Sequence, residues 1–284
     1  SGAMDWLAYQ AANELVGNSK NATTLEIGLG EITLHALRDT TLAVTGAGYE
    51  IQNYVWTFPL WTSFYVRAGW VVQIKKTSGG NWAYLAMAGG FDVPQVLGSS
   101  SCYFRGGLGN MIQVGDILQN RKPNGELTKL AARDFPVQKY MTYSQTPTID
   151  VIAGPQRERF DNTFFENEYT LSKSFDRMGY RLDLLHSPSS ANGIKQLINT
   201  ELISEGMTMG SIQITNQGQP IVMMADSPTT GGYPKIANVI KSDLPLLAQC
   251  EAEKSKIKFR EVSLEEAREK YKMRSADFSL QFAK

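Results

Sequence analysis

Met4, Leu7, Ala8, Ala11, Ala12, Leu15 and Val16 recur at helical spacing, and they predict an amphipathic helix that stops at Gly17-Asn18. Beyond that point the period shortens. Residues 24–29, 31–36, 42–45, 61–65, 71–75 and 82–88 form short β-type runs divided by glycines or polar turns. Strands this closely spaced predict a barrel or sandwich. Residues 120–147 read as a linker: Lys122-Pro123-Asn124-Gly125 is turn chemistry, and Pro136 and Pro147 follow among polar residues. A second β series then runs through 148–152, 169–173, 180–185, 211–215 and 220–225. Asp243 is placed to cap a short helix carrying Leu246, Leu247 and Gln249. Ser263 with Glu266 has capping-box spacing and opens a helix over 264–272. Glu266 and Lys270 then stand one helical turn apart on what reads as a solvated face.

This pattern predicts a mainly β chain of two domains, 1–140 and 141–284. A faint internal repeat agrees with it. Ala86-Met87-Ala88-Gly89-Gly90-Phe91 with Pro94 parallels Met224-Ala225-Asp226 with Gly231-Gly232-Tyr233-Pro234, each an apolar strand running into a Gly-Gly-aromatic turn.

Composition narrows the function classes. With 42% hydrophobic and 20% charged residues the chain can bury a real core. Lysine plus arginine (28) equals aspartate plus glutamate (28), which gives no electrostatic reason to expect nucleic acid or an anionic membrane as partner. No apolar run approaches the roughly 20 residues needed to span a bilayer. The two cysteines, Cys102 and Cys250, lie far apart, which suits a reducing compartment and predicts a cytoplasmic protein. The first residues, SGAMDWLAYQ, carry neither a basic nor an apolar leader region and so do not read as a secretion signal, and because the chain begins at Ser1 and not at a methionine a first segment, one that could include a strand, is expected to be missing.

Several chemistries lack their residues. His35 and His186 sit in different halves without metal-type neighbours, so no metal site is expected. There is no nucleophile elbow, no C-x-x-C and no P-loop, and Gly28-Leu29-Gly30 lacks the third glycine of a dinucleotide fingerprint. Three segments are rich in groups that bind small polar molecules. Residues 89–101 combine glycines with Ser99, Ser100 and Ser101. Residues 172–182 hold Asp176, Arg177 and Arg181; the two arginines are fork donors for carboxylate or phosphate, and on one strand they would share a face. The loop 226–235 follows an apolar strand and gathers Asp226, Thr229, Thr230, Gly231, Gly232, Tyr233 and Lys235. Its backbone amides could form a nest for an amide or anion, Asp226 could serve as general base, and Lys235 could stabilise developing negative charge.

The stretches SGAMD, AANELVGN, AMAGGFDVPQVLGS, IAGPQ, DRMGYRL, SEG, GSIQI and QPIVMMADSPTTGGYPKIANVIKSDLPLLAQ occur in that order. In these motifs the chain resembles the biotin-dependent carboxyltransferase-like proteins, also called allophanate hydrolase subunit 2-like. That family includes the C subunit of the bacterial ATP-dependent 5-oxoprolinase and the carboxyltransferase half of urea carboxylase. The resemblance implies two tandem cyclophilin-like β-barrel domains. It also implies a role in a complex that converts 5-oxoproline to glutamate with ATP, alongside a smaller related B-like subunit and a ring-opening A-like protein. Two alternatives stay open. One is carboxyl transfer to urea or a related amide, which needs biotin on another protein. The other is a non-catalytic regulator of a histidine-kinase inhibitor. Ser227-Pro228 stand where the family usually has Arg-Gln. The expected catalytic set is Asp226, Lys235 and Arg177. Arg181, Asp176, Thr229, Thr230, Gly231, Gly232 and Tyr233 are expected to bind substrate.

Overall fold

A computed structural model describes residues 2–109, 111–185, 193–198 and 202–275. The chain divides into two compact units that part between Thr142 and Tyr143. The predicted first helix is present as α1 (Trp6–Leu15). The Asp5 carboxylate accepts the Ala8 N–H at 3.0 Å, which satisfies one of the amides left open at the helix start. Leu7, Ala8, Ala11, Ala12 and Leu15 are buried; the small alanines let the helix lie close to the sheet, where the Thr45 hydroxyl donates to the Ala8 carbonyl at 2.6 Å.

The first unit continues through β1 (Leu25–Gly28), β2 (Ile32–His35), β3 (Thr40–Gly46), β4 (Tyr49–Gln52), β5 (Thr57–Phe58), β6 (Ser63–Val66), β7 (Val71–Lys76) and β8 (Trp82–Met87). These make two four-stranded antiparallel sheets, ordered β1-β8-β3-β6 and β2-β7-β4-β5. Both sheets feed one core: Val44, Phe64 and Leu85 from the first meet Ile51, Val72 and Ile74 from the second. The strands β4 and β5 are additional to the sequence expectation.

The expected linker is mostly a strap bound to this unit. Leu130, Phe135, Val137 and Met141 are buried. The Phe135 N–H donates to the Trp61 carbonyl at 2.8 Å, and their rings stack at 5.6 Å. One apolar side chain every few residues is enough to anchor irregular backbone, even when the intervening residues are turn formers. Gly89 marks a close pass of this strap. Its φ is +91°, and a Cβ there would lie 2.0 Å from the Arg121 carbonyl oxygen. Gly89→Ala is therefore expected to cost about 3 kcal/mol through left-handed strain and a backbone clash. A urea unfolding curve measures this, and a loss below about 1 kcal/mol would count against the close approach.

The second unit holds β9 (Thr148–Ala153), α2 (Thr163–Glu166), β10 (Tyr169–Phe175), β11 (Gly179–Leu184), β12 (Glu205–Gly206), β13 (Ser211–Ile214), β14 (Pro220–Met223), β15 (Thr230–Gly231), β16 (Lys235–Val239), α3 (Leu244–Ala248), β17 (Lys258–Glu261) and α4 (Leu264–Ser275). Seven strands form one sheet in the order β10-β11-β14-β13-β16-β9-β17, and only the β9–β17 pairing is parallel. Tyr169 and Ile257 exchange N–H···O bonds of 2.9 and 2.7 Å, so the β10 edge reaches the lead-in to β17 and the sheet curls toward closure. Phe164, Tyr169 and Phe259 pack ring to ring inside it. The chain is mainly β, as the strand pattern predicts.

Three local expectations fail here. Asp243 stands at the start of α3 but makes no capping bond; its buried carboxylate instead takes the Asp150 N–H at 2.9 Å, Lys270 at 2.7 Å and Arg274 at 2.8 Å. Lys270 accordingly turns inward to Asp150 and Asp243 and does not pair with Glu266. The capping box itself is made, with the Ser263 N–H on Glu266 at 2.8 Å and the Glu266 N–H on Ser263 at 3.1 Å. The apparent repeat also dissolves. Gly89 and Gly90 turn through positive φ, whereas Gly231 and Gly232 do not, and Gly231 is a strand residue.

Candidate functional site

The loop 226–235 begins where β14 ends, and its first residue is held twice. The turn between β10 and β11 is shaped by Asp176, whose carboxylate accepts the N–H groups of Met178 at 2.8 Å and Gly179 at 3.3 Å. That turn carries Arg177 to Asp226. The guanidinium meets the carboxylate as a fork, Nε to Oδ2 at 2.8 Å and Nη2 to Oδ1 at 3.0 Å. The Asp226 N–H also donates to the Arg177 carbonyl at 2.7 Å. A bidentate pair with 24% and 12% of its side chains exposed is geometrically specific. It fixes Asp226 and occupies both of its oxygens. Asp176 therefore acts on the turn, and Arg177 acts on Asp226.

Arg181 is elsewhere. It lies on the exposed face of β11, with Asp183, and donates to Gln219 at 3.4 Å. The expectation that Arg177 and Arg181 share a face fails because Arg177 belongs to the turn and not to the strand.

The middle of the loop is not a nest. Thr230 and Gly231 run extended and pair with Gly206 and Glu205 as a two-stranded ladder. The Met207 N–H donates to the Thr229 carbonyl at 2.9 Å. A nest needs alternating backbone handedness, and no residue here has positive φ. Gly231 is needed for another reason: a Cβ would come within 2.6 Å of Gln213 Nε2 and 3.1 Å of Met207 Sδ. The same Gln213 amide donates to the Tyr233 carbonyl at 2.9 Å. Thr229, Thr230, Gly232 and Tyr233 are exposed along this edge.

Lys235 opens β16 opposite Gln213. Its Nζ donates to Glu205 Oε2 at 2.9 Å and to the Gly206 carbonyl at 3.0 Å. Gln156 closes the arrangement: its Oε1 accepts the Lys235 backbone N–H at 3.0 Å, and its Nε2 donates to Glu205 at 3.1 Å. Hydrogen bonds from Lys235 and then Gln156 hold the Glu205 carboxyl below its usual range. The register separates this centre from the Arg177–Asp226 pair. Gln213 lies opposite both Lys235 and Ile221, while Asp226 comes after the far end of β14.

Glu205, Gln156 and Gln213 were not among the expected site residues. Their signal was present, since IAGPQ ends on Gln156, SEG contains Glu205 and GSIQI contains Gln213. The third candidate segment, 89–101, is a turn and loop in which Asn18 accepts the Gly89 N–H at 2.8 Å and Ser100 meets Thr23 at 2.9 Å. Cys102 is a partly exposed free thiol, and burial pushes the Cys250 thiol up to about 12. His35 is exposed on β2, and His186 lies outside the described residues. No helix among the described residues is long and apolar enough to cross a membrane.

Comparison with known proteins adds a lineage to this geometry. The family described as carboxyltransferase domain, subdomain A and B, matches residues 1–261. The 5-oxoprolinase C subunit of Haemophilus influenzae is 38% identical, over 94% of this chain and 84% of its own length. The Escherichia coli protein of the same name is also 38% identical with the same coverage. Among solved structures, the K. lactis urea amidolyase superposes with a TM-score of 0.83 at 26% identity, covering 94% of this chain but 17% of that much longer one.

Proposed function

The chain belongs to the carboxyltransferase subdomain A and B family, and from that footing we propose that it is the C subunit of an ATP-dependent 5-oxoprolinase, a hydrolase that opens a cyclic amide to give glutamate. The observation that carries this reading is the 38% identity to two proteins that bear the name of the 5-oxoprolinase C subunit, over most of both chains. The complex would be cytoplasmic and would include a smaller B-like subunit and a ring-opening A-like subunit.

In this reading Lys235 is the group that meets the amide. It is a cation with 13% of its side chain exposed, at the edge where Thr229, Thr230 and Tyr233 offer polar contacts. Asp226, Arg177 and Asp176 shape the loop's entry, and Arg181 instead meets Gln219 on the exposed face of β11. Nucleotide chemistry is left to the complex. Lys235 and Arg177 are each engaged by a carboxylate, so this cradle does not fit a triphosphate and no step through ATP is assigned to it.

Carboxyl transfer to urea or a related amide is the second reading, supported by the likeness to the K. lactis urea amidolyase. It would require biotin delivered by another protein. The deciding assay is ATP-dependent glutamate release from 5-oxoproline by the chain combined with its partner subunits. Turnover is expected only when this chain is present. An assembled complex that releases no glutamate, but consumes urea when a biotinylated carrier is added, would replace the first reading with the second.

A further inference from the structure

We propose that Glu205, braced by Gln156, is a positioning residue that leaves Lys235 one N–H to present to a single carbonyl oxygen of the amide substrate. The inference rests on the reading of Lys235 given above and adds what aims it. An ammonium group has three donors. Two are taken, by Glu205 Oε2 at 2.9 Å and the Gly206 carbonyl at 3.0 Å. Among the described residues none takes the third, which is left for a ligand. An exposed lysine–glutamate pair on flexible stems would fix nothing, but this pair is not held by its stems alone. Gln156 bonds the Lys235 backbone with one end and the Glu205 carboxylate with the other, so three distant segments close into one polar ring. The ladder of Glu205 and Gly206 with Gly231 and Thr230 anchors the ring's other side. A donor fixed in advance stabilises charge as it develops on an amide oxygen without reorganising during the reaction. With Glu205 and the Gly206 carbonyl holding its ammonium in place, Lys235 serves as a hydrogen-bond donor to the amide oxygen.

The test uses Glu205→Gln in the assembled complex and in the full chain alone. In the complex, kcat is expected to fall about 100-fold with KM nearly unchanged, the scale of a misaimed catalytic group. Glu205→Asp should recover part of it, and Glu205→Gln should add nothing in a Lys235→Ala background. Gln156→Ala should move kcat in the same direction. A separate measurement needs no turnover: acetic anhydride labelling of Lys235, followed by mass spectrometry, should speed up several-fold in Glu205→Gln. Wild-type kcat in that variant, additive loss with Lys235→Ala, or an unchanged labelling rate would each overturn the proposal. If the wild-type complex fails to open 5-oxoproline, the functional reading falls by itself, and the labelling rate still decides whether Glu205 aims Lys235.

Discussion

Replacing Asp243 with asparagine is expected to lower the stability of the second unit by about 3 kcal/mol, the low end of the cost of breaking a buried ion pair. The side chain has no solvent exposure, and it receives Lys270 at 2.7 Å and Arg274 at 2.8 Å. Asp150, 3% exposed, shares Lys270 at 2.6 Å and adds Arg260 at 2.8 Å. Two carboxylates and three cations thus form one chain of contacts. The network matters because α4 has no buried residue of its own. Lys270 and Arg274 hold that helix on the sheet together with Tyr271, whose ring lies under the Lys241 ammonium at 4.9 Å, so the loss should appear as faster hydrogen exchange in α4 as well as an earlier urea midpoint. The estimate sits at the low end because Lys270 and Arg274 retain 24% and 16% exposure and can be partly rehydrated. A loss below about 1 kcal/mol would show that α4 is held by something else.

The same network fixes the direction of the pH dependence. Burial pushes the Asp150 carboxyl upward, but hydrogen bonds and charge from Arg260 and Lys270 outweigh it and leave it below its ordinary value. A carboxyl depressed on folding contributes stability that is fully present above its unfolded pKa of about 3.9 and is lost as pH falls through the lower folded value. The stability gap between the wild type and Asp150→Asn should therefore be constant near neutrality and close progressively below about pH 4. A gap that widened on acidification would reverse the assignment.

Elements with a strong period were legible before the structure, and elements made by partners were not. The spacing of Leu7, Ala8, Ala11, Ala12 and Leu15 gives α1 directly, and the capping box gives α4. By contrast β17 is Lys-Phe-Arg-Glu, with one apolar side chain, and exists because its backbone pairs parallel with β9. The strand β16 escapes alternation because the β13–β16 register shifts between Ile212 and Gln213. The candidate loop was identified by its density of polar groups, but what those groups do depended on partners far along the chain. Lys235 meets Gln156 across 79 residues, and Arg177 meets Asp226 across 49. Spacing within a segment cannot express such pairs. It put Arg181 beside Arg177 and Asp243 on a helix cap, where the fold gives each a different neighbour.

Lys235→Ala is expected to reduce kcat of the assembled complex about 1,000-fold, the scale of losing a charge-stabilising donor at a reacting oxygen, while leaving the fold intact. The two halves of this expectation rest on different observations. The loss of activity is expected because Lys235 is the cation at the loop edge, with one donor that no described residue takes. Folding tolerates the change because Glu205, the partner left behind, is 38% exposed and can take water in place of the ammonium. The backbone N–H of residue 235 still has Gln156 as acceptor, so the site loses its cation but keeps the Gln156 link between residue 235 and Glu205. This contrasts with Asp243→Asn, which removes the buried charge that Lys270 and Arg274 meet, so that stability itself falls. The measurements are the thermal midpoint and the circular dichroism spectrum of the variant, complex assembly by size exclusion, and steady-state glutamate release. A folded, assembled Lys235→Ala complex with wild-type kcat would remove Lys235 from the chemistry and return attention to the Asp226 end of the loop.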